Sequence, residues 1–341
     1  MSAHNKNSDS QTESSNWRDV VAPYRGPTSH KSLWQLINTL IPYTLLMIAM
    51  YFSLRGSYFL TLLLAIPTAG FSVRLFIISH DCGHQSFFKS GRANDIWGEL
   101  TALLVWTPYT YWKREHTRHH GSAGNLDRRG IGDIWTLTAT EYANKPLPVR
   151  LGYRLYRNPM ILFGVGPIFL FMIGYRYWAA WAGKAERLSI LRTNLFLAAI
   201  LLLCHYTIGL KAFFLIQLPV TLIGAAAGVW LFYVQHQFEN VYWAHNDDWD
   251  FFSQAMQGSS YYKLPRLLQW FSGNIGFHHV HHLSPGIPNY HLERCHRENA
   301  LFHTAPTITI LSSLKTIGHR VWDERSRKMA GFGCLRQQTE R

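Results

Sequence analysis

Charge is excluded from long blocks of this chain, and those blocks are the length of a bilayer crossing. Ile37 to Leu54 carries no charged residue and ends at Arg55; as a helix it would cover about 27 Å, roughly one hydrocarbon thickness. Residues 57–79 form a second apolar block, with Arg74 near the end leading into His80, where a long side chain can snorkel. Only Arg55 and Gly56 separate the two blocks, so they predict a tight helical hairpin. Thr193 to Leu210 and Ala212 to Gln235 repeat the pattern, with Lys211 at the turn. The small residues Gly224-Ala225-Ala226-Ala227-Gly228 permit close helix packing. Four crossings in two hairpins are expected.

Two shorter apolar runs read differently. Leu100 to Trp112 is charge-free but too short for a straightforward crossing and contains Pro108, so it predicts a re-entrant or interface-lying helix. Residues 159–175 are broken by Pro159, Gly164, Gly166 and Pro167 and fit either an interfacial helix or a span. A lone crossing there would move everything after it to the other side. Residues 1–30 are Ser/Asn-rich and lack a signal-peptide core. They predict a flexible leader before an amphipathic entry near Trp34. The expected division is leader 1–30, membrane domain 31–325 and tail 326–341, with the part beyond Val234 a cytoplasmic cap.

Composition refines this picture. Lys plus Arg exceed Asp plus Glu by 33 to 20, a net charge of +13. No arginine run or base-reading motif is present, so nucleic acid is not the expected partner. Anionic headgroups and an acidic protein suit the excess better, because the basic residues border apolar spans. Lys89, Arg92, Lys113, Arg114, Arg118, Arg128 and Arg129 fall on one predicted face, which the positive-inside trend makes cytoplasmic, at the inner membrane. The four cysteines are scattered without metal or disulfide spacing, which fits a reducing side. Nothing in the pattern speaks to oligomeric state.

The chemistry lies in histidine. The clusters His80-Asp81-Cys82-Gly83-His84, His116-Thr117-Arg118-His119-His120 and His278-His279-Val280-His281-His282 all adjoin apolar segments, and His236 ends the fourth span. Four crossings put every one of them on the same face. Separations of three and four place His80 with His84, His116 with His119 and His120, and His278 with His281 and His282 on single helical faces. Imidazole beside lipid is costly unless its nitrogens are occupied, and a metal would occupy them. Nine imidazoles exceed the needs of one tetrahedral zinc. Two metals with four or five ligands each accommodate them and leave room for water or dioxygen. Iron is favoured, since it can activate O2 against an unactivated C–H bond. No His-Glu-x-x-His of a metalloprotease is present.

The remaining histidines carry blander readings. His279 is out of register with its neighbours, His205 falls mid-hairpin far from the face, and His245, His291, His296 and His303 read as surface or supporting residues. Asn274 and Glu239 are candidates to hydrogen-bond a ligand or metal-bound water. Trp106, Tyr109, Tyr111, Trp112, Trp230 and Tyr233 fit either a substrate mouth or an ordinary aromatic belt.

The text around these clusters resembles the membrane fatty acid desaturases, in particular bacterial acyl-lipid desaturases of the Bacillus Δ5 type. The resemblance rests on His80 through Phe88, Gly124 through Gly130, Tyr153 through Pro159, Gly228 through His236, Gly258 through Pro265, Gly273 through Gly276 and Ile287 through Tyr290. It runs from about residue 30 to 325. Histidine clusters alone would also admit hydroxylases and ketolases; the intervening text separates them. The resemblance implies a non-haem di-iron centre held by His80, His84, His116, His119, His120, His236, His278, His281 and His282. It implies an oxygen-dependent reaction that takes two hydrogens from adjacent methylenes and leaves a cis double bond and two waters. The substrate would be the acyl chain of a membrane lipid or acyl thioester, threaded into an apolar channel at about 0.8 kcal/mol per buried methylene. No fused haem or iron–sulfur carrier is visible, so a separate donor such as ferredoxin or flavodoxin is implied. The alternative is a membrane di-iron hydroxylase or ketolase.

Overall fold

The computed structural model describes residues 17–335. The chain is an all-α membrane protein whose four long apolar helices pair as expected. Helix α1 (17–21) precedes α2 (Ser29–Ser53) and α3 (Tyr58–Gly83), the first hairpin. Ser53 Oγ and Thr61 Oγ1, 2.7 Å apart, tie its turn. Later come α9 (Lys184–Tyr206) and α10 (Leu210–His236), turned at Gly209, whose φ of +84° is a glycine conformation. These four helices are long and apolar enough to cross a membrane. Large apolar side chains face outward along them, among them Leu45, Phe59, Leu195 and Leu203. In water that surface would be an aggregation face; in lipid it is solvated.

Helix α3 is the central post, packed against both α2 and α10. Gly224 of α10 meets it so closely that an added Cβ would stand 2.4 Å from Ser72 Oγ, the close approach expected of a small-residue stretch. Arg74 does not snorkel. Its guanidinium is buried, donates to Thr39 Oγ1 at 3.1 Å and to the Trp270 carbonyl, and lies over the Trp270 ring. Pairing inside the protein replaces the interface it would otherwise seek.

The segment containing Leu100 to Trp112 turns back on itself. Helix α4 (Gly91–Leu104) starts at Ser90, whose side chain accepts from Ala93 N, and α5 (Tyr109–Ser122) returns beside it. Fourteen residues each give arms of about 21 Å. The reversal passes through Trp106, at φ +62°, whose ring stacks 6.3 Å from Phe213 near the start of α10. That is the opposite end of α10 from His236.

Residues 139–176 form α6 (Ala139–Asn144), α7 (Leu147–Tyr156), a π-helical turn (Ile161–Val165) and α8 (Gly166–Met172). The axis bends by 63° between α7 and the following segment. Leu147, Leu151 and Leu155 make an exposed stripe on α7. Parity decides what this bent pair does. His119 precedes it, His236 follows the α9–α10 hairpin, and their Nε2 atoms lie 3.2 Å apart. An even number of crossings must therefore separate them. The hairpin supplies two, so the bent pair enters and leaves on one side.

Beyond α10 the chain folds back as a cap of short helices: α11 (Phe251–Gln257), α12 (Arg266–Phe271), α13 (His278–Leu283), α14 (Asn289–Glu298) and α15 (Ile310–Thr316). Strands β1 (Tyr261–Lys263) and β2 (Thr307–Thr309) pair in parallel, and β3 (Val321–Asp323) with β4 (Lys328–Ala330) antiparallel. Part of the expected tail is thus folded; Met329 and the turn at Phe332–Leu335 pack in apolar clusters.

The expected leader is also folded from residue 17 on. Trp17, Val21 and Tyr24 are buried against Phe277, Val280, Leu283 and Leu292, across the helix that carries the third histidine cluster. Tyr24 donates to Glu298 at 2.7 Å. Each such side chain contributes about 1.5–3 kcal/mol on burial. Deleting residues 1–24 should therefore lower the melting temperature of detergent-solubilised protein by at least about 5 °C, while membrane insertion persists. An unchanged melting curve would show the strap to be ornamental.

Candidate metal centre

Each histidine cluster sits where a helix reaches the same level. His80 lies in the last turn of α3 and His84 caps it; His116, His119 and His120 lie in the second half of α5; His236 ends α10; and His278, His281 and His282 fill α13. The nine rings converge in two groups. His80, His84, His116, His120 and His281 form one, and His119, His236, His278 and His282 the other; within each, one nitrogen per residue lies within 4.8 Å of the rest. The groups adjoin, since the rings of His120 and His282 stack at 4.2 Å. All nine residues singled out in the sequence are brought together, and no other histidine joins them among the described residues.

Hydrogen bonding orients the rings. His119 Nδ1 is 2.6 Å from Asp133 Oδ1, and His236 Nδ1 is 3.1 Å from the Gly258 carbonyl. Each pairing engages Nδ1 and turns Nε2 inward. The two Nε2 atoms face each other at 3.2 Å. A cation between them would be held by both. His236 and His278 approach at 2.8 Å, His282 and His278 at 3.1 Å, His120 and His116 at 3.0 Å, and His281 and His120 at 3.1 Å, all through Nε2. Donors about 2.1 Å from a metal and at right angles to one another stand about 3.0 Å apart. In the five-membered group, Nε2 of His80 and of His84 is buried with no protein partner. Burial holds His84, His116, His120, His278, His281 and His282 well below the usual imidazole pKa, in the neutral form a metal requires. The donor set fits two metal ions.

The outer partners differ from the two suggested by the sequence. Glu239 is exposed and pairs with Lys328 at 3.3 Å, away from the site. The Asn274 side chain donates to the Asn289 carbonyl at 3.2 Å. The groups that orient the histidine rings are Asp81, beside His80 Nδ1 at 3.0 Å, Asp133, the Gly258 carbonyl and the Gln254 amide, 3.4 Å from His282 Nδ1. Asp81 stands in plain view inside the first cluster. Asp133 is fourteen residues from its histidine, on a loop whose path no local pattern records.

The excluded histidines lie elsewhere. His205 is at the far end of α9 against Tyr206. His245 pairs with Asp127, His291 with the Tyr24 carbonyl, His279 with His296, and His303 with the His296 carbonyl.

Comparison with known proteins matches this architecture. The family model described as fatty acid desaturase covers residues 56–309, a stretch that holds all nine histidines and three of the four spans. The chain belongs to the fatty acid desaturase family. This desaturase is 47% identical over 316 residues to the fatty acid desaturase of Bacillus subtilis (strain 168), covering 93% of this chain and 90% of that one. It is 27% identical over 224 residues to the sn-1 oleoyl-lipid 12-desaturase of Synechocystis sp. (strain ATCC 27184 / PCC 6803 / Kazusa), covering 65% of this chain and 63% of the relative. A third relative, the sn-1 acyl-lipid omega-3 desaturase (ferredoxin) of Nostoc sp. (strain 36), is 26% identical over 235 residues, covering 64% of this chain and 61% of that one.

Proposed function

We propose that this desaturase introduces a cis double bond into the acyl chain of a membrane lipid, using dioxygen and two electrons from a separate carrier. The observation that carries the reading is the pair of histidine groups whose ring nitrogens face one another at the ends of membrane helices. His80, His84, His116, His120 and His281 would hold one iron ion, and His119, His236, His278 and His282 the other. Iron there would supply the oxidant that takes hydrogen from an unactivated methylene pair.

The protein's own part is positioning and exclusion of water. Phe76 and Phe232 precede His80 and His236 by one helical turn, on the membrane side of the centre. Phe232 packs 5.0 Å from His119, Trp112 stacks 4.6 Å from His116, and Phe76 meets Trp112 at 5.0 Å. These rings make an apolar floor under the histidines, against which an acyl chain from the bilayer can lie. Shifting that chain by one bond would change the product, so the floor and the headgroup together set the register. A narrow cleft lined by Arg129, Asp133, Phe232 and Trp243 also leads to His119 and His236.

The basic face bearing the histidines is read as cytoplasmic, with the protein in the inner membrane. That charge also suits an acidic donor of the ferredoxin or flavodoxin kind, and one relative carries ferredoxin in its name. The test is expression in a host lacking the activity, followed by mass spectrometry and double-bond mapping of its membrane lipids. Acyl chains two hydrogens lighter are expected. Chains that gain an oxygen instead would establish a hydroxylase, and unchanged lipids from iron-loaded protein supplied with donor would refute the proposal.

A further inference from the structure

Helices α12 and α15 follow the last span and were expected in the cytoplasm. Both present leucine outward: Leu267 is 65% and Leu311 79% exposed, with Leu268, Trp270, Ile310 and Leu314 also exposed beside them. Their depth can be read from what they touch. The Trp270 carbonyl accepts from Arg74, whose guanidinium lies 4.0 Å from the Trp270 ring, and Phe271 packs edge-on to Phe71 at 5.1 Å. Arg74 is six residues before His80, about 9 Å down α3 toward the far side. From Tyr58 to Arg74 the helix covers about 24 Å, less than a hydrocarbon core of about 30 Å.

Helix α15 is tied at the matching level of the other post. Ser313 Oγ lies 3.1 Å from Tyr262 Oη, which accepts from Trp230 Nε1 at 3.2 Å. Trp230 is six residues before His236, again about 9 Å below the histidines. The sheet explains the symmetry. β1 and β2 run parallel, with Tyr261 opposite Thr307 and Lys263 opposite Thr309. Helix α12 follows β1 after two residues and α15 follows β2 directly, so both leave by the same end. Lys263, Arg266 and Lys315 are exposed next to the leucines, and no acidic residue occurs in 258–272 or 300–320.

We infer that α12 and α15 are a paired interfacial anchor, with their leucines in the acyl region of the inner leaflet and their cations among anionic headgroups. The exposed leucines continue the lipid-facing surface of the spans, and the flanking charge complements that leaflet. The anchor rests on the membrane reading of the four spans and is separable from it.

The test places nitroxide labels at Leu267→Cys and Leu311→Cys in full-length protein carrying Cys204→Ser and Cys334→Ser, reconstituted in phosphatidylglycerol–phosphatidylethanolamine vesicles. Leu203→Cys on α9 and Glu324→Cys in the β3–β4 turn serve as lipid and water references. Labels at 267 and 311 should relax with dissolved oxygen and be shielded from chelated nickel at least about tenfold relative to 324. Nickel access at either position equal to that at 324 would overturn the anchor. So would exclusion of both reagents, which marks a protein partner on that face. Nickel access at 203 would instead remove the membrane reading itself.

Discussion

Replacing His119 with alanine is expected to abolish desaturation while leaving a protein that still inserts. His119 lies in the four-membered group, where its Nε2 is 3.2 Å from that of His236. Without it three imidazoles remain there, whereas the neighbouring group keeps all five. Bound iron should fall from about two to about one per chain, and turnover by well over a hundredfold, since loss of an outer partner alone typically costs about 10–100-fold. Metal analysis of purified protein and gas chromatography of its lipid product check the two halves separately. His205→Ala should change stability by no more than about 0.5 kcal/mol and leave the iron in place, because that ring sits exposed at the far end of α9. Full turnover in the His119 variant, or equal iron loss in the His205 variant, would remove the proposed ligand set.

That contrast is legible in the amino-acid sequence because two periodicities agree. The length of the charge-free blocks fixes which ends share a side, and separations of three and four fix which imidazoles share a face. His205 fails the first condition and His279 the second; the structure puts both outside the groups. Other features have no local signal. Residues 159–175 have the composition of either a span or an interfacial helix, and only the closeness of His119 to His236 counts the crossings. Trp17, Val21 and Tyr24 lie in a polar leader, and their burial depends on a partner surface more than 230 positions away. Leucines on α12 and α15 look like ordinary cap residues until Arg74 and Trp230 give them a depth. Arg74 itself misleads in the reverse direction, because the carbonyl that satisfies it belongs to Trp270, far along the chain.

Asp81 marks where the first and third clusters are held to one another, and its substitution should have the second-largest effect. One carboxylate oxygen faces His80 Nδ1 at 3.0 Å; the other accepts from Asn289 N at 2.7 Å and from Asn289 Nδ2 at 2.8 Å. A single buried side chain thus fixes the ring of a proposed ligand on α3 and the start of α14, just beyond the histidines of α13. Asp81→Ala leaves three buried donors unpaired, at about 1–3 kcal/mol each, and should prevent accumulation of folded protein. Asp81→Asn is the sharper probe. It keeps the shape, but its amide presents N–H groups where acceptors are required, so the His80 ring loses its support or Asn289 loses its own. Turnover should drop about 10–100-fold and iron should dissociate more readily into a chelator, with the protein still monodisperse in detergent. The loss should be confined to the group containing His80, with the four-histidine group retaining its metal. A variant that holds both irons against chelation as the parent does would show that α3 and α13 keep their relation without this carboxylate, and that His80 is aligned by packing alone.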